Sequence, residues 1–507
     1  MNPAAPFYIR ARRREGPVPL TVKVVQGIGA MPEVFKNFAF NTFLLLYYSQ
    51  VRGLPAGEVG LVIGAALILD AAADPLIGAF SDTLRSRLGR RHPLMLAAAL
   101  PMAAGLFATF AAPALAPGGL LAWCFATVVA THLATSFFVL PWSALFAEFS
   151  DDYAERTSIV TWRFAWGGLG GVAFGFACWT FVFRSSQAFP KGQLDPAAYL
   201  RFAPVVAIAV LASILAATLG TRGEIPYLLQ PASRAPRFHP AAFAAQLAAV
   251  LRNRDFLVIF LGLLTSSAIA GSQASLDIYL QSWFWGLGPH ELRWLSIALL
   301  GAVVGFAVAG RLQARFEKKT LMLGSFLLLL ADGMGVVALR LLSVMPANGD
   351  PALLPILVVN ELARALLTTV LLIMLVSMIA DTLDSQELAS GLRQEGLFSA
   401  ALSFSAKATT GLGALISGLI LEHVVGWPQG AVAASHVTPR LLIRLGVVDG
   451  LLLPALYLVP FAVCLPYSIG RGRHGEIRAA LEARRAAAAA SGPALDLPAD
   501  LRAEMEV

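Results

Sequence analysis

Residues 69–95 read LDAAADPLIGAFSDTLRSRLGRRHPLM. Two carboxylates, Asp70 and Asp74, sit inside an apolar run, and four arginines, Arg85, Arg87, Arg90 and Arg91, close it. An apolar run long enough to cross hydrocarbon, ended by a basic burst, reads as a membrane span that stops on the side where cations are retained. The rest of the chain agrees. Of 507 residues, 57% are hydrophobic and 14% charged, with a mean hydropathy of +0.70, against about a quarter charged in soluble domains. The chain therefore reads as an integral membrane protein. Its long apolar runs do not alternate with period two, which excludes a β-barrel.

Twelve helical spans are expected, near 24–50, 58–82, 93–114, 119–147, 158–184, 203–221, 255–285, 291–315, 319–344, 352–384, 394–425 and 447–470. The start of the chain, MNPAAPFYIRARRREG, is polar and basic with no short apolar core before a cleavage site, so the first span is expected to stay. Arg and Lys crowd the start, the connection after span two, the connection at 222–254, the end of span eight and the tail. The alternate connections carry scattered cations such as Arg52 and Lys191. The asymmetry predicts cytoplasmic termini and, with anionic headgroups, accounts for the net charge of +7; no nucleic-acid partner is expected. Cys124, Cys178 and Cys464 lie in apolar spans without metal or disulfide spacing and read as core residues.

The Pro- and Arg-rich connection divides the chain into a tail (1–23), a six-helix bundle (24–221), a linker (222–254), a second bundle (255–470) and a second tail (471–507). A weak repeat supports this: GAFSDTLRSRLGRRHPLML after span two is echoed by AGRLQARFEKKTLMLG after span eight, and AEFSDDYAERTSIVTWRF by ADTLDSQELASGLRQEGLF. Duplicated six-helix units typify carriers whose halves rock about a midplane site.

Charges within the spans mark candidate chemistry. A charge at the bilayer centre costs roughly 2.5–3.5 kcal/mol on insertion scales, so it usually faces the interior and has a task. Spacing i, i+4 puts Asp70 and Asp74 on one helix face, where the pair calls for a proton, a monovalent cation or a basic partner. Lys407, about 18 Å into span eleven, is the obvious movable partner. Arg163 is either a cavity-facing donor or an interfacial anchor. Glu33 with Lys36, and Glu361 with Arg364, are i, i+3 pairs that either neutralise locally or bind a polar ligand. Asp277, Asp332 and Asp449 are lone acids with no assigned role. Trp283 and Trp285 read as interface residues, and Trp142 is open between ligand stacking and the interface. A cytoplasmic gate is expected in which Arg85, Arg87, Arg90 and Arg91 of one half meet Asp381, Asp384, Glu387 and Glu395, with Arg393 beside them, when the inner side closes. No P-loop, HExxH or GxSxG motif is present, so no enzyme is expected.

DAAADPLIGAFSDTLRSRLGRR, LPWSALFAEFSDDYAERTSIVTWR and ADTLDSQELASGLRQEGLFSAALSFSAK resemble, in order and on the right spans, the three signatures of the melibiose-permease-like glycoside-pentoside-hexuronide:cation symporters, a family of the major facilitator superfamily. The resemblance covers most of the chain. It implies an all-α fold of twelve transmembrane helices in two pseudo-symmetric bundles, with Asp70 and Asp74 as the cation site, Lys407 linking cation and substrate, and Arg163 on the substrate. Two departures stand out. Val34 and Val139 occupy positions where the family places sugar-binding acids, with Glu33 adjacent, and Ala73 replaces an amide before the second aspartate. Ser136 is the candidate replacement oxygen. The family's lysophospholipid-carrying eukaryotic branch resembles the chain as well, including the turn GAMP early in span one.

The expectation is a monomeric plasma-membrane (bacterial inner-membrane) symporter of a small organic solute, a sugar or glycoside. It needs no cofactor, couples to H+ or Na+, and has membrane lipids as its surroundings. A lysophospholipid or amphipathic-compound symporter is the alternative, and a membrane-embedded ligand sensor the alternative outside transport.

Overall fold

The computed structural model describes residues 8–10, 14, 16–84, 86–150, 152–231, 252–390, 407, 411–430 and 437–490. Almost all of these are helical. Helices α3 (Ala56–Thr83), α4 (His92–Phe110), α5 (Pro117–Phe149), α6 (Tyr153–Ala177), α7 (Pro196–Gly220), α8 (Arg254–Tyr279), α9 (Pro289–Arg315), α10 (Lys318–Leu341), α11 (Leu353–Ser390) and α13 (Pro439–Cys464) correspond to ten helices long and apolar enough to cross a membrane. The first expected span is segmented: α1 (Leu20–Ile28), a break, α2 (Met31–Ala39), then π-helical turns to Val51. Of the eleventh, α12 (Gly411–Val425) and Lys407 are described.

Local chemistry sets the ends. Asp152, Asp195, Asn253 and Thr438 cap α6, α7, α8 and α13, each side chain accepting from a first-turn backbone N–H. The break between α1 and α2 falls on Gly29 and Ala30, with Pro32 opening α2. A Cβ on Gly29 would collide with the Trp142 indole, so only glycine lets α1 lie this close to α5.

Helices α3, α4, α5 and α7 pack together, as do α1 and α2 on α6 and α7; α8 and α11, α9 and α11, and α10 and α13 pack among themselves. The two sets meet along α3 and α12, where backbones touch. A Cβ on Gly60 would lie 2.7 Å from the Ala414 carbonyl, and one on Gly418 would strike that of Ala56. Such glycine faces let helices approach in lipid, where no hydrophobic force drives them together.

At the end opposite the arginine-rich connections the two sets are sealed. Ser49 Oγ lies 2.8 Å from Tyr279 OH, Gly57 N donates to Glu422 Oε2 (2.7 Å), Gln193 donates to Ser282 Oγ (2.8 Å), and Lys191 donates to the Ser282 carbonyl. Tyr279 stacks on Trp283 behind these bonds, Trp427 packs edge-on to both, and Lys191 lies over Trp283. Trp283 and Trp285 are 7% and 3% exposed. This corrects their interfacial reading: the Trp283 ring fills the seal between the helix sets, and Trp285 packs on Phe284 and lines a small cavity inside the second set, rather than anchoring in headgroups. Cys124, Cys178 and Cys464 are buried and free.

Two features of the arginine-rich end lie beyond the sequence reading. Strand β1 (Tyr8–Arg10) pairs antiparallel with β2 (Leu229–Pro231), joining the amino-terminal tail to the start of the linker. The carboxy-terminal tail begins with α14 (Arg471–Ala490), which packs on α11.

Candidate functional site

Asp70 and Asp74 lie near the middle of α3, 0% and 6% exposed. The glycine contact between α3 and α12 brings Lys407 alongside them. Its Nζ lies 2.8 Å from Asp70 Oδ2, 2.7 Å from Asp74 Oδ1 and 2.6 Å from Ser136 Oγ. Ser136, on α5, in turn donates to Asp70 Oδ1 at 3.0 Å. Four groups from three helices thus form one network, closed by charge and hydrogen bonding. The arrangement keeps two carboxylates in the membrane by setting one movable ammonium between them. That leaves one excess negative charge, which a proton or a monovalent cation can cancel.

Two neighbours were not legible. His132 Nδ1, one turn before Ser136 on α5, is 3.4 Å from Asp70 Oδ2. A lone histidine in an apolar helix carries no pattern that announces this. For Lys36 the sequence offers Glu33, three residues before it, as a local partner, or a polar ligand to bind. Among the described residues the two form no ion pair, and Lys36 is 6% exposed on the wall of a cavity of about 360 Å3 that Glu33, Asp70, Asp74, His132, Ser136 and Lys407 also line.

Asn37 and Asn41 line this cavity and also a larger one of about 580 Å3, which includes Trp179 of the same helix set and reaches Gln273, Asp277, Gln281, Glu361 and Arg364 of the other. The walls are mixed: amides, hydroxyls and charges alternate with apolar side chains such as Leu44, Val34 and Leu299. Val139, at one of the two departures, is part of the smaller cavity's apolar wall.

Arg163 and Trp142 are placed apart from these linings. The Arg163 guanidinium sits 3.9 Å from the Trp142 ring centroid and 5.4 Å from that of Phe146. Trp142 is 3% exposed, donates through Nε1 to the Gln26 carbonyl and accepts at its own carbonyl from Gln26 Nε2, each at 3.0 Å. Here Arg163 covers the face that a sugar ring would stack on. Trp179, in contrast, lines the larger cavity.

Glu361 and Arg364 do pair locally, but the guanidinium also reaches Asp277 at 3.0 and 2.8 Å. The expected cytoplasmic gate is only partly described: Arg85, Arg393 and Glu395 lie outside the described residues. Among those described, no pair joins Arg87 or Arg90 to Asp381 or Asp384. Arg90 and Arg91 contact Glu148 (2.6 and 3.3 Å) and Arg91 also Ser81, while Lys318 holds Asp381 (2.7 Å) and His474 of α14 holds Asp384 (3.2 Å). The printed partners of Arg90, Arg91, Asp381 and Asp384 thus each lie on the same side of the linker as the residue they hold.

The chain is 26% identical to an uncharacterized symporter of Synechocystis sp., over 92% of this chain and 97% of that one. It is 24% identical to the isoprimeverose transporter of Lactiplantibacillus pentosus (79% and 81%) and 23% identical to a glucuronide carrier protein homolog of Escherichia coli (90% and 94%). Among solved structures, the nucleoside transporter NupG superposes with a TM-score of 0.56 at 13% identity, covering 89% of this chain and 99% of that one. A bacterial homolog of the lysosomal transporter Spinster superposes with 0.58 at 13%, covering 89% and 97%. These superpositions establish the transporter fold. Residues 25–469 match the family described as MFS/sugar transport protein, and the chain belongs to that family.

Proposed function

We propose that this protein is a secondary active symporter that couples inward movement of a monovalent cation to uptake of a sugar or glycoside by alternating access. The observation that carries the reading is the Asp70–Asp74–Lys407 network. It joins one carboxylate pair to the opposite helix set and opens on a cavity whose amides and hydroxyls suit a polyhydroxylated solute. The names of the relatives, an isoprimeverose transporter and a glucuronide carrier homolog, support the same substrate class.

In this reading the cation binds at Asp70 and Asp74 and releases Lys407. Freed, Lys407 swings its charge toward the solute cavity, and the bundles at 24–221 and 255–470 rock about the site. Neutralising the carboxylates is what permits the rearrangement, because moving an unpaired buried charge costs several kcal/mol. The site lies in the bacterial inner membrane, with the arginine-rich face in the cytoplasm.

Proteoliposomes carrying the purified protein test this with isoprimeverose, glucuronides and related glycosides under imposed sodium or proton gradients. Accumulation above equilibrium is expected in the parent protein and is lost in Asp70→Asn and Asp74→Asn, while solute counterflow survives. Unchanged accumulation in both variants sinks the coupling assignment.

A further inference from the structure

Four acids converge in the second helix set around a single cation. Asp277 comes from α8, Asp332 from α10, Glu361 and Arg364 from α11, and Asp449 from α13. Arg364 bonds Asp277 and Glu361, and Asn360 donates to Asp332 at 2.9 Å. Asp449 has no such partner: it is 3% exposed, it lines the cavity among these residues, and its Oδ1 has no hydrogen bond among the described residues. Asp332 Oδ2 is likewise unmatched.

Four ionised carboxylates against one guanidinium would leave three uncompensated negative charges inside a membrane protein. One ionised group buried without a donor is already prohibitive. The cavity enclosed by the cluster is about 40 Å3, room for about one water molecule and far too small for a sugar. Among the described residues no three acids or histidines are placed to hold a metal ion. What fits is protonation, which removes charge without needing more room. A path for the proton is also present: Asp277, Gln281, Glu361 and Arg364 line both this small cavity and the 580 Å3 one.

We propose that Asp449, with Asp332 and Glu361 beside it, is a second proton-carrying site, separate from Asp70 and Asp74 and reached from the central cavity through the Glu361–Arg364 pair. Asp449 takes up a proton from cavity water and returns it there; no bond other than O–H forms or breaks. The charged groups facing it are Asp277, Asp332, Glu361 and Arg364. Deprotonation adds a negative charge to the cluster and pulls Arg364 from Asp277 and Glu361, which alters the wall of the solute cavity. That last consequence rests on the symport reading; the protonation itself does not.

Infrared difference spectroscopy on the full chain in liposomes, labelled with carboxyl-13C aspartate and titrated with pH in the absence of solute, tests the site. An isotope-shifted C=O stretch of a protonated aspartic acid is expected, fading reversibly as pH rises. In the Asp70→Asn/Asp74→Asn double variant, which removes the aspartates of the coupling site, the band persists; adding Asp449→Asn abolishes it, and adding Asp449→Glu removes its isotope shift. Absence of the band in the double variant, its survival once Asp449→Asn is added, its persistence throughout the titration, or its replacement on adding sodium at fixed pH would each overturn the proposal. Failure of the symport reading would appear instead in glycoside accumulation and leave this band untouched.

Discussion

Lys407 shows how one residue can be both legible and underdetermined. Its depth in an apolar span made pairing compulsory, and the i, i+4 aspartates on another span were the only coupled acids in reach. The three distances of 2.6–2.8 Å follow from that logic. His132 and Lys36 stayed hidden for opposite reasons: the histidine had no partner in sequence, and the lysine had a nearer one at i−3, Glu33, which lines the same cavity. Asp449 was hidden because its neighbours lie at positions 277, 332 and 361, a constellation that only tertiary packing assembles. The network makes a prediction about energy. Lys407→Met leaves two facing carboxylates without their ammonium, a loss of about 3–5 kcal/mol by analogy with broken buried pairs. Adding Asp74→Asn should recover much of it, since one carboxylate then keeps Ser136 and His132 as neighbours. Thermal melting of the single and double variants in one detergent reads this out; a double variant no more stable than Lys407→Met argues that the pair is electrostatically idle.

At the scale of helices, the sequence marked the apolar runs and the turn at GAMP, where the first span does break. It did not show that α3 and α12 touch through glycine, because a glycine in a membrane helix looks the same whether it faces lipid or another backbone. The distinction is testable within one helix pair. Gly418→Ala places a methyl against the Ala56 carbonyl, backbone that cannot swing aside, so the helices must part and Lys407 must withdraw from the aspartates. Accumulation should fall together with melting temperature. Gly78→Ala, a turn beyond Asp74 with open space where its Cβ would go, should be neutral or stabilise by up to about 1 kcal/mol through helix propensity. Equal damage from the two substitutions would show that helix contact is not what Gly418 provides.

For the whole molecule, the described hydrogen bonds and ion pairs between the helix sets fall at two levels, a seal at the end away from the arginines and the charge network at mid-depth, while α6 and α9 pack apolar side chains such as Phe164 on Phe306. At the arginine-rich end, Arg90, Asp381 and Asp384 have partners within their own helix sets. That pattern suits a carrier closed on one side, and in the symport reading the seal must break in each cycle. Its bonds join the ends of separate helices rather than a packed core, so each is worth about 1 kcal/mol net. Removing two of them, with Gln193→Ala and Glu422→Ala, should therefore shift the equilibrium toward the state open on that side by about 2 kcal/mol, roughly thirtyfold. Ser49, itself one of the seal's hydroxyls, is fully buried and the three native cysteines are buried too, so Ser49→Cys with and without the two substitutions compares opening in one background. In right-side-out vesicles, Ser49→Cys should react slowly with a membrane-impermeant maleimide, and tens of times faster with the two seal substitutions added. An unchanged rate would mean that these bonds decorate an end held shut by the packed Tyr279, Trp283 and Trp427. The energy to open it would then have to come from solute and cation binding acting on those rings.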